Sequence, residues 1–329
     1  MSELNRKLTS PKERRALSAS QGLIGESLMT HNKGNSPMTI YTNTARFDGT
    51  ARALTEDEMF QRAPSIFATT PHESRSERFA PIPTIDILRG LQAEGFHPVG
   101  VKQSLTRIPG KADFTKHMIR LRKLDTTAYS VGDSVLEILL KNANDGTSIY
   151  DTMLGLFRVR CLNSLVSQLA ELDSVKVRHT GSPDDVARKV IEGTYSVLQS
   201  ADALLSAPQD WAKINLNPSE KLAYAESVHA LRFGEPETDE HGEPIAHPIA
   251  PSKLLTVRRK DDYGSDLWTV FNVAQENAVR GGLTGVIADR TVRRGYRRTS
   301  TRPVTGIDQD IKLNKALWML TAHMARLAA

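Results

Sequence analysis

The chain has 329 residues, with 43 lysines and arginines against 38 aspartates and glutamates, and a formal net charge of +5. Its composition, 39% hydrophobic and 25% charged, excludes collagen-like, disulfide-rich and wholly disordered proteins, and its single cysteine, Cys161, excludes an intramolecular disulfide. No apolar run approaches the roughly 18 residues of a membrane span, and the N-terminus lacks the apolar core of a signal peptide. We therefore expect a cytoplasmic protein that does not associate with membranes.

Charge divides the chain unevenly. Residues 208–252 carry 3 basic and 8 acidic side chains, whereas residues 253–329 carry 14 basic and 7 acidic ones. The acidic part also contains a proline-rich stretch around Glu235–Pro244, which is typical of an exposed linker. We expect four segments: a partly irregular N-terminal extension (1–74), a core domain (75–207), a helix with an acidic linker (208–252) and a basic C-terminal region (253–329).

Two helices are predicted before the core strands. Thr55 precedes three acidic residues, the arrangement of a capped helix start, and this helix runs to Arg62. Thr84 is a second candidate N-cap, and Gly95 stands where that helix would end.

Five strands are predicted next, over 101–107, 114–123, 135–142, 149–161 and 173–179. The turns at 108–111 and 142–146 are short, and short loops join antiparallel strands. An amphipathic helix is predicted over 184–205. The fold class is therefore α+β: an antiparallel β-meander with one basic face and helices packed on the other. Helices predicted over 267–277 and 311–328 make the basic C-terminal region mainly helical.

Basic side chains alternate with apolar ones in three of these strands. The basic positions are Lys116, Arg120 and Arg122, then Arg158 and Arg160, then Lys176 and Arg178. Such a pattern fits the solvated face of any half-exposed sheet. It also fits a surface that follows nucleic-acid phosphates, which requires several cations in a row.

A second basic stretch lies near the C-terminus. It contains Arg290, Arg293, Arg294, Arg297, Arg298 and Arg302, with no acidic residue among them and with Tyr296 between them. Arginine matches phosphate oxygens, and an aromatic ring stacks on unpaired bases. The alternative is a solvated loop that contacts the acidic linker.

Motifs for catalysis are absent from the sequence. There is no phosphate-binding glycine loop and no H-E-x-x-H zinc motif, so we expect no cofactor and no metal. Three histidines, His97, His117 and His179, are placed where the sheet could bring them together. The carboxylates Asp133, Glu137, Asp145 and Asp151, with Lys141, leave a metal-dependent nuclease as an alternative.

Several strings are specific when taken in combination. They are RFAPIPT (78–84), GF (95–96), FTKHMIR (114–120), NANDGTS (142–148), GLFRVRCLNSL (155–165), HTG (179–181), DLW (266–268), QEN (275–277), GG (281–282) and NKALW (314–318). In order and spacing they resemble the phage- and plasmid-encoded "domain of unknown function 932" family, over residues 75–329. The resemblance implies the setting of a mobile genetic element and no established activity. The succession of helix, meander and helix is similar in plan to phage single-strand-annealing recombinases, which is an analogy of fold alone.

We therefore expect a non-enzymatic nucleic-acid-binding protein of a phage, plasmid or other mobile element, with DNA preferred to RNA. Binding and annealing of single-stranded DNA in recombination is the use that the analogy suggests. A factor that binds a host defence protein is the first alternative, and the nuclease is the second. Self-association into a homo-oligomer is compatible with all three.

Overall fold

The computed structural model describes most of the chain from residue 52 onward. The described residues are 52–75, 82–124, 130–131, 134–158, 174–235, 238, 241, 245–288, 291, 293 and 295–328. All of them belong to the compact unit Thr39–Ala329.

An antiparallel sheet lies at the centre of this unit. Its strands are β1 (Phe96–Gln103), β2 (His117–Lys123), β3 (Ser130–Val131), β4 (Ser134–Asn142), β5 (Tyr150–Arg158) and β6 (Ser174–Val177). The order in the sheet is β1-β2-β4-β5-β6, and β3 pairs with the start of β4. The predicted α+β meander is therefore confirmed. The hairpin between β4 and β5 turns at Gly146, whose φ of +75° favours glycine.

Three helices pack against the sheet: the first two contact β1, and the third contacts β5 and β6. They are α1 (Glu56–Arg62), α2 (Thr84–Ala93) and α3 (Pro183–Leu198). Thr55 caps α1 in a capping box with Glu58, as predicted. The core contains the following residues of α2, α3 and the strands: Ile87, Leu88, Leu91, Val186, Val190, Ile119, Leu121, Ile138, Leu140, Leu154 and Leu156.

The helix predicted over 184–205 is two helices. The first is α3, which ends at Leu198, and the second is α4 (Ala201–Trp211). The apolar pattern continues through both helices because both contribute to the same core, so the pattern did not reveal the break at Gln199 and Ser200.

The C-terminal half adds three more helices, α5 (Pro218–Phe233), α6 (Leu267–Arg280) and α7 (Ile307–Ala328). Trp211 and Trp318 pack with their ring centroids 4.4 Å apart, and Phe271 contacts both rings. No helix in the described ranges is long and apolar enough to cross a membrane.

Two further strands lie between α6 and α7. They are β7 (Thr284–Ala288) and β8 (Tyr296–Ser300), which pair antiparallel as a separate two-stranded ribbon, called here the ribbon. The expectation that the basic C-terminal region is mainly helical therefore needs correction over Thr284–Ala288 and Tyr296–Ser300, which are strands. Two five-residue segments separated by a turn carry too few residues for a clear period-two pattern.

Candidate nucleic-acid interface

Two of the predicted phosphate-binding residues on β2 lie inside the protein. Arg120 and Arg122 are only 4% and 7% exposed. Both guanidinium groups donate to the carboxylate of Glu137 on the neighbouring strand β4: Arg120 Nε lies 2.6 Å from Oε2 and Arg122 Nη2 lies 2.5 Å from Oε1. The expectation that these arginines form an open cationic face is therefore wrong.

Glu137 is held in its charged form by this arrangement. Burial on its own raises the pKa of Glu137, but the attraction and hydrogen bonds of Arg120 and Arg122 outweigh that effect and lower the pKa below its ordinary value. The guanidinium carbon of Arg120 also lies 4.0 Å from the centroid of the Phe157 ring. Both arginines thus stabilise the sheet.

The start of α7 covers this same face of the sheet. Ile307 and Ile311 pack on apolar residues of the strands, namely Met118, Leu139, Met153 and Phe157. Asp308 forms ion pairs with Lys116 and Lys141, and Asp310 Oδ2 lies 3.4 Å from Lys102 Nζ. The C-terminal region therefore neutralises and encloses a face that the sequence pattern predicted to be free.

Strand register separates Arg158 from the arginines of β2. Ser134 pairs with Arg158 and Glu137 with Gly155, so alternation along β5 places Arg158 on the opposite face from Glu137. Arg158 Nη1 donates to Asp262 at 2.6 Å. The prediction that three strands share one cationic face is therefore wrong for Arg158. Alternation within one strand does not show how its faces align with those of the neighbouring strand, which depends on the pairing register.

The remaining predicted residues of the sheet lie at its edge or outside the described ranges. Lys176 is exposed on the edge strand β6, and Arg178 is exposed just after it. Arg160 lies outside the described residues, as do Arg290 and Arg294 of the C-terminal run.

The ribbon presents the other predicted basic residues to solvent. Arg297 and Arg298 on β8 are both exposed, and Arg293 is exposed in the turn before it. Tyr296 is 48% exposed and Val286 on β7 is 56% exposed. The structure thus places Arg293, Arg297 and Arg298 on or beside an exposed two-stranded element.

Hydrogen bonds fix the base of the ribbon to the end of α6. Gly282 N donates to Thr301 O at 2.9 Å, and Thr301 N donates to Leu283 O at 2.9 Å. Gly281 ends α6 with φ +68°, and a Cβ atom there would lie 2.7 Å from the Arg302 carbonyl carbon. Glycine at 281 therefore permits the close approach of the two chain segments.

A buried polar cluster within the main sheet involves two of the three histidines, His117 and His179. The side chains of His117 and His179 both connect to Asn142: His179 Nε2 donates to Asn142 Oδ1 at 2.7 Å, and Thr84 bridges Asn142 to His117. His97, in contrast, pairs with Arg122 at the far end of β1 and β2. All the cluster residues, Ser65, Thr84, His117, Asn142, Asn144, Tyr150 and His179, are buried.

His117 is enclosed by hydrogen-bonding partners in this cluster. Ser65 donates its hydroxyl proton to Gln103 Oε1, so Ser65 Oγ accepts from His117 Nδ1 at 2.9 Å. Asn142 Nδ2 donates to Thr84 Oγ1, which lies 3.0 Å from His117 Nε2 and 3.3 Å from the Tyr150 hydroxyl. Burial lowers the pKa of His117 to about 4, which favours the neutral imidazole near neutral pH.

The carboxylates proposed for a nuclease do not converge. Glu137 is enclosed by Arg120 and Arg122, and Asp151 Oδ2 lies 3.3 Å from Lys141 Nζ. Asp145 accepts from the backbone of Thr147, as expected of a turn residue, while Asp133 lies outside the described residues. In the described ranges no three histidine, cysteine or acidic residues are grouped as metal ligands would be.

Comparison with known proteins gives the family. The model of the domain of unknown function DUF932 matches residues 71–318. The chain belongs to the DUF932 family. Two Escherichia coli K12 relatives cover 82% of this chain and 90% of their own length: UPF0380 protein YafZ is 42% identical and UPF0380 protein YfjQ is 41% identical. No solved structure matches.

The DUF932 match includes the ribbon and every residue of the polar cluster except Ser65. The strings FTKHMIR, NANDGTS and HTG supply His117, Asn142 and His179, so three strings that are distant in sequence meet in one cluster. The sequence pattern did not identify Glu137 as the partner of two arginines. The signal was available, since Glu137 interrupts the apolar residues of β4, but its partners depend on strand order.

Proposed function

We propose that this DUF932 protein is a non-enzymatic nucleic-acid-binding protein of a mobile genetic element, and that the ribbon is its contact surface for DNA. The observation that carries the proposal is the exposure of Arg293, Arg297 and Arg298 on or beside this ribbon. Exposed arginine side chains attract phosphate groups, and binding releases the counterions of the nucleic acid. Two paired strands form a narrow element that can approach a nucleic-acid groove.

Annealing of single strands along the sheet has less support than contact through the ribbon. That mechanism requires a row of accessible cations, whereas Arg120 and Arg122 are buried on Glu137, and Lys116 is paired with Asp308. Lys176 and Arg178 are exposed at the sheet edge, and the experiment below tests them as the alternative contact.

The test is a fluorescence-anisotropy titration of the full chain with labelled duplex DNA, single-stranded DNA and RNA across a salt series. We expect the double variant Arg297→Ala/Arg298→Ala to bind about 10- to 100-fold more weakly, from the loss of two charge-assisted contacts. For this variant, the slope of the logarithm of the binding constant against the logarithm of the salt concentration should be less steep by about 2. Each phosphate contact contributes roughly 1 to that slope.

Two matched double variants serve as controls. Lys176→Ala/Arg178→Ala removes two exposed charges at the sheet edge, and Arg188→Ala/Lys189→Ala removes two exposed charges on α3. We expect both to bind as the unchanged protein does. Weakening by the sheet-edge pair alone would transfer the binding site to β6 and refute the ribbon as the contact.

Two other outcomes would favour the alternatives. Absence of binding to every oligonucleotide at low salt would refute the proposal and favour a protein partner with an acidic surface, which the basic ribbon would complement. Shortening of the labelled strand when magnesium is added would favour the nuclease.

A further inference from the structure

The two faces of the ribbon differ in accessibility. Register places Thr284, Val286 and Ala288 opposite Ser300, Arg298 and Tyr296, and all six of these residues are exposed. The other face contains Gly285, Ile287 and Thr299, which are half-buried, and Arg297, which is exposed. A Cβ atom on Gly285 would collide with the carbonyl oxygen of Pro248, so that face lies against the body of the protein. The six exposed residues form the outward face of the ribbon.

The chemistry of the outward face is mixed. It combines hydroxyl groups at its base, the apolar side chains Val286 and Ala288, the ring of Tyr296 and the guanidinium of Arg298. Phosphate attraction by itself would require only cations. Base edges in the major groove require donors, acceptors and apolar contacts side by side: arginine pairs with guanine, and an apolar group contacts the thymine methyl. The outward face has this combination.

The dimensions of the ribbon select one groove. Two paired strands lie about 5 Å apart, and their side chains make the element roughly 10 Å across. The major groove is about 12 Å wide and the minor groove only about 6 Å. Single-stranded DNA is less suited to this surface, because single-strand sites use a series of stacking rings and the outward face carries Tyr296 alone among its six residues.

We infer that the outward face enters the major groove of duplex DNA and contacts base edges through Arg298 and Val286, while Arg297, on the other face, contributes to phosphate attraction. This inference rests on the proposed function, because it specifies how the same ribbon meets DNA. Five residues in a strand span about 16 Å, enough to contact about five base pairs.

The test compares three forms of one duplex, which contains both G·C pairs and runs of A·T pairs, in the anisotropy assay. One is unmodified, one carries glucosylated 5-hydroxymethylcytosine, which fills the major groove, and one is saturated with netropsin, which fills the minor groove. We expect the unchanged protein to bind the glucosylated duplex about tenfold more weakly, the order of one lost bidentate contact, and the netropsin-bound duplex equally well.

Arg297 and Arg298 provide a matched pair of variants, because they are neighbours in sequence and lie on opposite faces of the ribbon. In Arg298→Ala, the affinity for unmodified DNA should fall to that for the glucosylated duplex, so the difference between the two duplexes disappears. In Arg297→Ala, both affinities should fall together and the difference should persist.

The outcomes separate this inference from the proposed function. Equal binding to the glucosylated and unmodified duplexes would refute major-groove entry and leave DNA binding intact. Competition by netropsin would transfer the contact to the minor groove, and tighter binding to single strands would refute duplex recognition. Absence of binding to all of these DNAs would refute the proposed function itself.

Discussion

Acid should destabilise this protein through His117. The pKa of His117 is lowered from 6.5 to about 4, mainly because the neutral imidazole is buried between Ser65 and Thr84. In the unfolded chain the imidazole takes up a proton near its ordinary pKa, so the unfolded state gains protons first as the pH falls. The contribution of His117 to the free energy of unfolding is therefore fully present above pH 6.5 and is lost as the pH falls to about 4.

The magnitude follows from the difference between the two pKa values. Each unit corresponds to about 1.36 kcal/mol, and the linkage relation gives a loss of about 2.5 kcal/mol in the free energy of unfolding between about pH 7.5 and about pH 4.5. A typical domain is stable by about 5–15 kcal/mol, so the loss is large enough to measure.

The assay is urea unfolding followed by tryptophan fluorescence, which reports on Trp211 and Trp318 in the core. His117→Gln removes the titrating group while keeping a polar side chain. We expect this variant to be less stable at about pH 7.5 but to lose about 2.5 kcal/mol less than the unchanged protein on acidification. The same substitution at His323, which is exposed on α7, is the control. Equal pH dependence in His117→Gln and the unchanged protein would refute the reasoning.

Three further predictions concern the sheet and the ribbon. Glu137→Gln should destabilise the protein by about 3–5 kcal/mol, because the two buried guanidinium groups of Arg120 and Arg122 lose their charged partner. A loss below about 1 kcal/mol in urea unfolding would contradict this. Asp308→Asn on the same face should cost less than about 1 kcal/mol in the same assay, because the Asp308 side chain is 56% exposed. Gly281→Ala should cost at least about 1 kcal/mol through its left-handed backbone and its contact with Arg302, and should also weaken DNA binding; an unchanged melting temperature would count against it.

Local patterns in the sequence predicted most of the elements. The capped start at Thr55, the strand from Ser134 to Asn142 and the helix that ends before Gly281 lie where side-chain period and capping residues indicate. These features depend on neighbours in the chain, so a single sequence contains the information. The strand predicted over 101–107 lies instead at Phe96–Gln103, because pairing with β2, including a bulge between Pro98 and Gly100, sets its limits.

The candidate site was predicted in part. Arg293, Arg297 and Arg298 are exposed, as the arginine run indicates. Their placement on or beside a ribbon depends on the pairing of β7 with β8, which the run does not show. His117 and His179 lie in one cluster, yet the sequence did not show that Asn142 and Thr84 join them as neutral, buried groups.

The sequence by itself determined the α+β class, the antiparallel meander and the basic character of the C-terminal region, because periodicity, turn residues and charge are local properties. Only the tertiary structure decided which cations are accessible. Arg120 follows the same alternation as a solvated lysine would, and its burial depends on Glu137 across the sheet and on the start of α7 some 190 residues later. Alternation along a strand fixes the face on which a side chain lies, whereas long-range packing fixes whether that face meets solvent or protein.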